Sequence, residues 1–63
     1  MTQKELLYVE DAIGHEQITV KLLQDTEKKL TDAKLKDYIK SEIKEHQNME
    51  KALLKLLEGC CNG

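Results

Sequence analysis

Residues 20–39 decide the fold, and they read VKLLQDTEKKLTDAKLKDYI. On both sides of segment 30–33, apolar positions recur in steps of three and four, which is the spacing of one helix face. Inside that segment, Thr31 and Asp32 are favourable N-cap residues, and a short antiparallel connection needs neither glycine nor proline. The stretch therefore predicts two helices joined by a tight turn, with Asp32 capping the second helix.

The same spacing extends outward from the turn to both ends of the chain. Thr2 and Glu5 stand three residues apart, as in a capping box, so the first helix is predicted over about 3–30. The second is predicted over about 33–58, because Gly59 suits the left-handed residue that often ends a helix. The predicted seam of the first helix is Leu6, Val9, Ile13, Glu16, Val20, Leu23, Glu27 and Leu30. That of the second is Leu35, Ile39, Glu42, His46, Met49, Leu53 and Leu56.

The length of the chain favours self-association. A chain of 63 residues buries little apolar surface by itself, and a hairpin has a seam but no enclosed core. Each helix also carries a second stripe beside its seam: Tyr8, Ala12, His15, Thr19 and Leu22 on the first, and Tyr38, Glu42, Glu45, Met49, Ala52 and Leu56 on the second. We therefore predict an all-α fold in which residues 1–58 form a long antiparallel helical hairpin. Two hairpins would form a homodimeric four-helix bundle, and residues 59–63 would be a flexible cysteine-containing tail.

Composition excludes several partners. The chain has 10 basic and 12 acidic residues, a net charge of -2, and all of its basic residues are lysine. Nucleic-acid surfaces favour a basic balance and the arginine fork, so we expect no DNA or RNA partner. No apolar run approaches the ~18 to 20 residues of a membrane span, and the first residues do not resemble a secretory leader. We expect a chain that is made in the cytoplasm, is not secreted and binds no membrane.

A polar layer interrupts the seam near the middle of the predicted hairpin. If the turn centres near residues 31–32, Glu16 lies level with His46, and Glu42 lies one helical turn before His46. Glu45 and His15 are adjacent on the second stripes. Carboxylates and imidazoles that project inward at one level can hold iron or manganese in four-helix bundles. Glu42-x-x-x-His46, however, is one residue longer than the Glu-x-x-His of such sites. The alternative is a hydrogen-bonded Glu16–His46 pair that sets the register of the seam.

Four other residues are either open to two interpretations or predicted to contribute little to stability. Gly14 lies inside the first helix, either tolerated or making room for a close neighbour. Glu27 is predicted level with Lys36 as a weak ion pair. Cys60 and Cys61 follow the predicted helix end, either as reduced thiols or as intermolecular cross-links or ligands of a soft metal. We expect both thiols to be dispensable for folding. No nucleophile with a positioned base appears, so we predict no enzymatic activity.

Three segments carry a resemblance to a known family: residues 6–16, LLYVEDAIGHE; residues 34–36, KLK; and residues 45–47, EHQ. The chain resembles the spore coat protein F family of spore-forming Firmicutes over nearly its whole length, up to Leu57. The resemblance implies a ferritin-like helical fold and a structural role in the spore coat, among other coat proteins. The chain supplies one hairpin where longer members supply more helices, and it lacks a second Glu-x-x-His. The first hypothesis is therefore a structural or assembly protein; the alternative is a ferritin-like protein that binds iron or manganese through bridging carboxylates.

Overall fold

A computed structural model gives the fold of residues 1–61, excluding the side chains of Cys60 and Cys61. Helix α1 spans Gln3–Lys29 and helix α2 spans Ala33–Cys61. The two helices pack along each other as an antiparallel hairpin with extents of 47 × 15 × 12 Å. The predicted all-α helical hairpin is confirmed.

The N-terminus of α1 is closed by a reciprocal pair of hydrogen bonds. The backbone N–H of Glu5 donates to the Thr2 hydroxyl over 3.1 Å, and the backbone N–H of Thr2 donates to the Glu5 carboxylate over 2.8 Å. The predicted capping box is therefore present. The hydrogen bonds from the Thr2 backbone and then from its side chain hold the pKa of Glu5 below its ordinary value. This favours the ionised carboxylate at the positive end of the helix.

The turn between the helices has the predicted cap. The backbone N–H of Leu35 donates to the Asp32 carboxylate over 2.9 Å, and the Asp32 carbonyl accepts from the Lys36 N–H over 3.0 Å. Leu30 is extended, and its N–H donates to the Glu27 carbonyl over 3.2 Å. Three residues therefore connect the helices, and each one either caps a helix or continues the chain around the bend.

The C-terminal end of α2 lies later than predicted. The helix continues through Gly59 and ends at Cys61, and no described glycine has a positive φ. Glycine permits a left-handed stop but does not impose one, since it also adopts helical angles at a cost of about 1 kcal/mol. Residues 59–61 of the predicted tail are therefore helical. Asn62 and Gly63 lie outside the described residues, as do the side chains on which the predicted roles of Cys60 and Cys61 depend.

The seam is confirmed on α1 and shifted on α2. Ile13, Val20 and Ile43 are the buried apolar residues of the described chain, each 8% exposed. The other predicted α1 positions are all half-buried. On α2, the predicted Leu35, Met49 and Leu56 are exposed; Ile43, Glu50 and Leu57 face α1 instead.

The shift on α2 has a simple geometric origin. Ile39, His46 and Leu53 are spaced by seven residues and belong to both possible stripes. Between these shared positions, the seam residue can be either of two neighbours, such as Glu42 or Ile43. Both choices keep alternating steps of three and four. The later choice brings Ile43 against α1, where its branched side chain is almost fully buried.

Gly14 has free space around it. A Cβ built on Gly14 meets nothing within 4 Å, and its φ is not positive. Within the hairpin, simple tolerance therefore fits better than close approach of a neighbour. We expect Gly14→Ala to raise the free energy of unfolding by about 0.5 to 1 kcal/mol, because alanine restricts the unfolded chain and favours the helix. Chemical denaturation followed by circular dichroism measures this, and a destabilised variant would show that something does approach Gly14.

Candidate functional site

The polar layer is built around the His46 ring. Nδ1 of His46 lies 2.6 Å from a carboxylate oxygen of Glu16, a hydrogen bond across the seam. The side chains are 27% and 16% exposed, so the contact is largely shielded from water. Nε2 of His46 lies 3.8 Å from a carboxylate oxygen of Glu42, one turn earlier on α2. The predicted juxtaposition of Glu16, Glu42 and His46 is therefore present.

The donors of this layer do not converge on one point. Glu16 lies next to one ring nitrogen of His46 and Glu42 lies nearest to the other, so the imidazole lies between the two carboxylates. Within the described residues, no group of three or more His, Cys, Asp or Glu side chains is placed to hold a metal ion. Glu45 and His15 are exposed and add no contact to the layer. The residue types suit iron or manganese, but the arrangement within one hairpin does not fit such an ion.

Two other polar contacts join the helices. Gln17 donates a hydrogen bond to the Glu50 carboxylate over 3.1 Å. Glu27 lies 3.8 Å from the Lys40 ammonium group, so the predicted pairing with Lys36 is wrong. A lysine side chain is long enough to reach a carboxylate one turn away, and Lys40 is also largely exposed, so this pair adds little stability. Lys36 lines a surface depression with Gln24, Glu27 and Lys28.

The large exposed apolar side chains of the two helices gather mainly on one side of the hairpin. Successive helical residues are rotated by about 100°, and on each helix the second stripe lies on the same rotational side of the seam. Because the helices are antiparallel, two stripes that lie on the same rotational side of their seams face the same side of the hairpin. We call this side the apolar face; it includes the exposed Tyr8, Leu22, Leu35, Tyr38, Met49 and Leu56 and the half-buried Ala12 and Thr19, and the polar His15, Glu42 and Glu45 of the second stripes lie among them.

The apolar face differs sharply from the opposite side. Its six exposed members have relative exposures between 51% and 62%. The opposite side, which we call the polar face, carries the exposed Gln17, Lys21, Lys28, Lys40, Gln47 and Lys51. Leu7 and Ile18 lie apart from the apolar face, toward the back of α1, and the exposed Leu54 lies on the polar face, seven residues after Gln47. A hairpin with one apolar and one polar face is arranged to bury the former against another surface.

Comparisons with family models, with curated proteins and with solved structures give no match. Neither helix, over the described residues, is long and apolar enough to cross a membrane.

Proposed function

We propose that this chain is a structural or assembly protein that acts as a homodimeric four-helix bundle. The observation that carries the proposal is the apolar face, which the hairpin leaves open along both helices. The second stripes anticipated most of its members, including Tyr8, Leu22 and Tyr38. A second copy would bring the same apolar stripes to cover it.

The energetics of the isolated hairpin support self-association. Only three apolar side chains are buried in the described chain. Burying one such side chain contributes about 1.5 to 3 kcal/mol, whereas ordering each residue costs about 1 to 2 kcal/mol of backbone entropy. A hairpin of this length therefore has a very small hydrophobic core. Burying the six exposed members of the apolar face against a second copy would add a second core.

The biological setting comes from the resemblance to the spore coat protein F family. Residues 10–16, EDAIGHE, are its most specific part, and they lie within α1. We propose deposition of the dimer in the spore coat, alongside other coat proteins. An antibody raised against the chain should detect it in coat extracts of the source organism's spores. Its absence from those extracts would remove the coat role and leave self-association standing.

Metal binding is the second candidate function, and one contact favours it. His46 uses Nδ1 for the hydrogen bond with Glu16, which orients the ring as outer carboxylates orient metal-binding histidines. Nε2 then faces Glu42 at 3.8 Å. Iron or manganese at that edge would need further ligands from a partner, because Glu16 is already engaged and Glu45 is exposed.

A charge placed on the apolar face should dissociate the dimer. We expect the unaltered chain to sediment at micromolar concentration with twice the chain mass of 7.3 kDa. Tyr38→Glu buries a carboxylate in the interface, so it should sediment as a monomer and lose helicity. Gln47→Glu is the matched control, because it adds one negative charge to the exposed polar face of the same helix; it should remain dimeric.

The thiols are kept reduced in these measurements so that cross-links do not contribute to the mass. A folded, highly helical monomer of the unaltered chain would contradict the proposed self-association. Equal dissociation by Tyr38→Glu and Gln47→Glu would show that net charge, rather than the apolar face, controls association.

A further inference from the structure

Lysine side chains gather on the polar side of the hairpin, in the half that lies next to the turn. On α2, Lys40 and Lys44 follow Lys36 in steps of four residues. On α1, Lys21 and Lys28 are seven residues apart. Both spacings keep side chains on nearly the same side of a helix. We call this cluster the basic patch; it comprises the half-buried Lys36 and the exposed Lys21, Lys28, Lys40 and Lys44.

The antiparallel packing brings the lysines of the two helices together. Residues equally far from the turn lie at the same height, so Lys28 lies near Lys36, and both line one surface depression. Lys21 is level with the segment between Lys40 and Lys44. Four residues of helix rise about 6 Å, which is less than the ~8 Å over which physiological salt screens charge. Neighbouring lysines of the patch therefore reinforce each other's positive potential.

The basic patch is positive in a chain that is negative overall. The net charge of the chain is -2, yet the patch holds five of its ten basic residues. One seam carboxylate, that of Glu27, borders the patch and lies 3.8 Å from the Lys40 ammonium group. Lys40 is the only lysine of the described residues that forms an ion pair. The other four ammonium groups of the patch are therefore available to a partner.

The excess of positive charge is confined to the half near the turn. Asp25 and Asp37 lie at the outer edge of the basic patch, toward the back of the hairpin, and are fewer than its lysines. Toward the open end, the polar side carries Lys51 together with Glu10 and Glu58, so the charges there balance or reverse. A localised patch of one sign attracts a partner of the opposite sign even when the net charge of the chain opposes it.

The chemistry of the basic patch favours carboxylates over nucleic-acid phosphates. All of its cations are lysines, which lack the planar fork that arginine uses on phosphates and guanine edges. Both tyrosines of the chain, Tyr8 and Tyr38, lie on the apolar face, so the patch offers no aromatic ring on which a base could stack. An acidic helix with a carboxylate every four residues repeats the ~6 Å spacing of the lysines on α2.

We propose that the basic patch binds an acidic segment of a partner protein, in which several aspartate or glutamate side chains follow one another. The depression lined by Lys28 and Lys36 gives one carboxylate of that segment a place between two ammonium groups, with the Gln24 amide beside them. Exposed ion pairs of this kind are individually weak and are screened by salt. Binding therefore depends on several lysines acting together.

The proposed dimer would present the basic patch twice. If the apolar faces are buried between two copies, the polar faces point outward on opposite sides of the bundle, whichever way the copies are oriented. One dimer would then bridge two acidic partners, as an assembly protein does. This bridging rests on the proposed self-association, whereas binding by a single patch does not.

Fluorescence anisotropy with a labelled oligoglutamate peptide tests the basic patch. The unaltered chain should bind the peptide at low salt, and added sodium chloride should weaken the binding. The triple variant Lys21→Gln, Lys28→Gln and Lys44→Gln removes three exposed lysines that form no ion pair. It should bind the peptide about tenfold more weakly or worse, because three of the five attractive charges are lost.

A second triple variant is the matched control. Lys4→Gln, Lys34→Gln and Lys55→Gln change the net charge by the same amount at exposed lysines outside the basic patch. This variant should bind the peptide within about twofold of the unaltered chain, because its lost charges lie away from the contact. Circular dichroism of both variants checks that the helices remain formed.

Each outcome bears on the patch separately from self-association. Equal weakening by the two triple variants would overturn the proposal, because net charge would then explain the binding. No binding of the unaltered chain to the peptide at low salt would also overturn it, as would tighter binding of a DNA duplex than of the peptide. Sedimentation of the unaltered chain measures self-association independently. A monomer that binds the peptide through the patch would support the patch and remove only the bridging.

Discussion

Replacing Ile43 by alanine should lower the free energy of unfolding by about 2 to 5 kcal/mol. Ile43 is 8% exposed and is the only residue of α2 among the three buried apolar side chains of the described chain. Truncation removes its packing against α1 and leaves a cavity that two rigid helices cannot fill. Because the whole buried core is so small, this single change should leave the protein largely unfolded near its working temperature.

Ile18→Ala is the matched control, since it makes the same chemical change on a side chain that is 62% exposed at the back of α1. Its effect should stay within about 0.5 kcal/mol. Denaturant unfolding at one fixed protein concentration measures both variants, because the stability of a self-associating chain depends on concentration. Similar losses for Ile18→Ala and Ile43→Ala would mean that the seam of α2 does not pass through Ile43.

Ile43 also shows where the sequence stops determining the packing. Three-and-four spacing identified both helices, and the N-cap residues Thr2 and Asp32 placed their starts, because these signals are local. The choice between Met49 and Glu50 as seam residues is not local. Apolar character favours Met49, but a glutamate half-buried in the seam is acceptable when Gln17 donates to it, as it does over 3.1 Å. That partner lies on the other helix and cannot be read from α2 alone.

The contacts within the polar layer were more predictable from the sequence than the ion pairs on the surface. In an antiparallel hairpin, residues that are equally far from the turn lie at the same height on the two helices. This rule brings Glu16 beside His46, as observed. The same rule does not identify the ion pair of Glu27, which is formed with Lys40 although Lys36 lines the same depression. Exposed lysines have long, flexible stems, so their partners follow side-chain reach as much as backbone height. Shorter side chains in the seam have no such freedom.

The pair of Glu16 and His46 should respond to substitution in opposite directions if it is a hydrogen-bonded register pair. Replacing both partners, as Glu16→Leu together with His46→Leu, should be neutral or stabilising by up to about 2 kcal/mol, because well-packed apolar side chains often replace a buried polar pair without loss. Glu16→Ala should cost about 1 to 3 kcal/mol, because it leaves His46 in the seam without its partner. Gln47→Leu and Glu10→Ala make the corresponding changes on exposed positions of the same helices and should change stability little.

Metal binding makes a different prediction for the same residues. If Nε2 of His46 and the Glu42 carboxylate bind an ion, added iron(II), manganese(II) or zinc should raise the melting temperature by mass action, and a chelator should lower it. His46→Ala should then abolish the response to metal. We expect no response, because the ring separates Glu16 from Glu42 and the three donors do not share one point. A metal-dependent melting temperature that disappears in His46→Ala would overturn this expectation, and the partner copy would then have to supply the missing ligands.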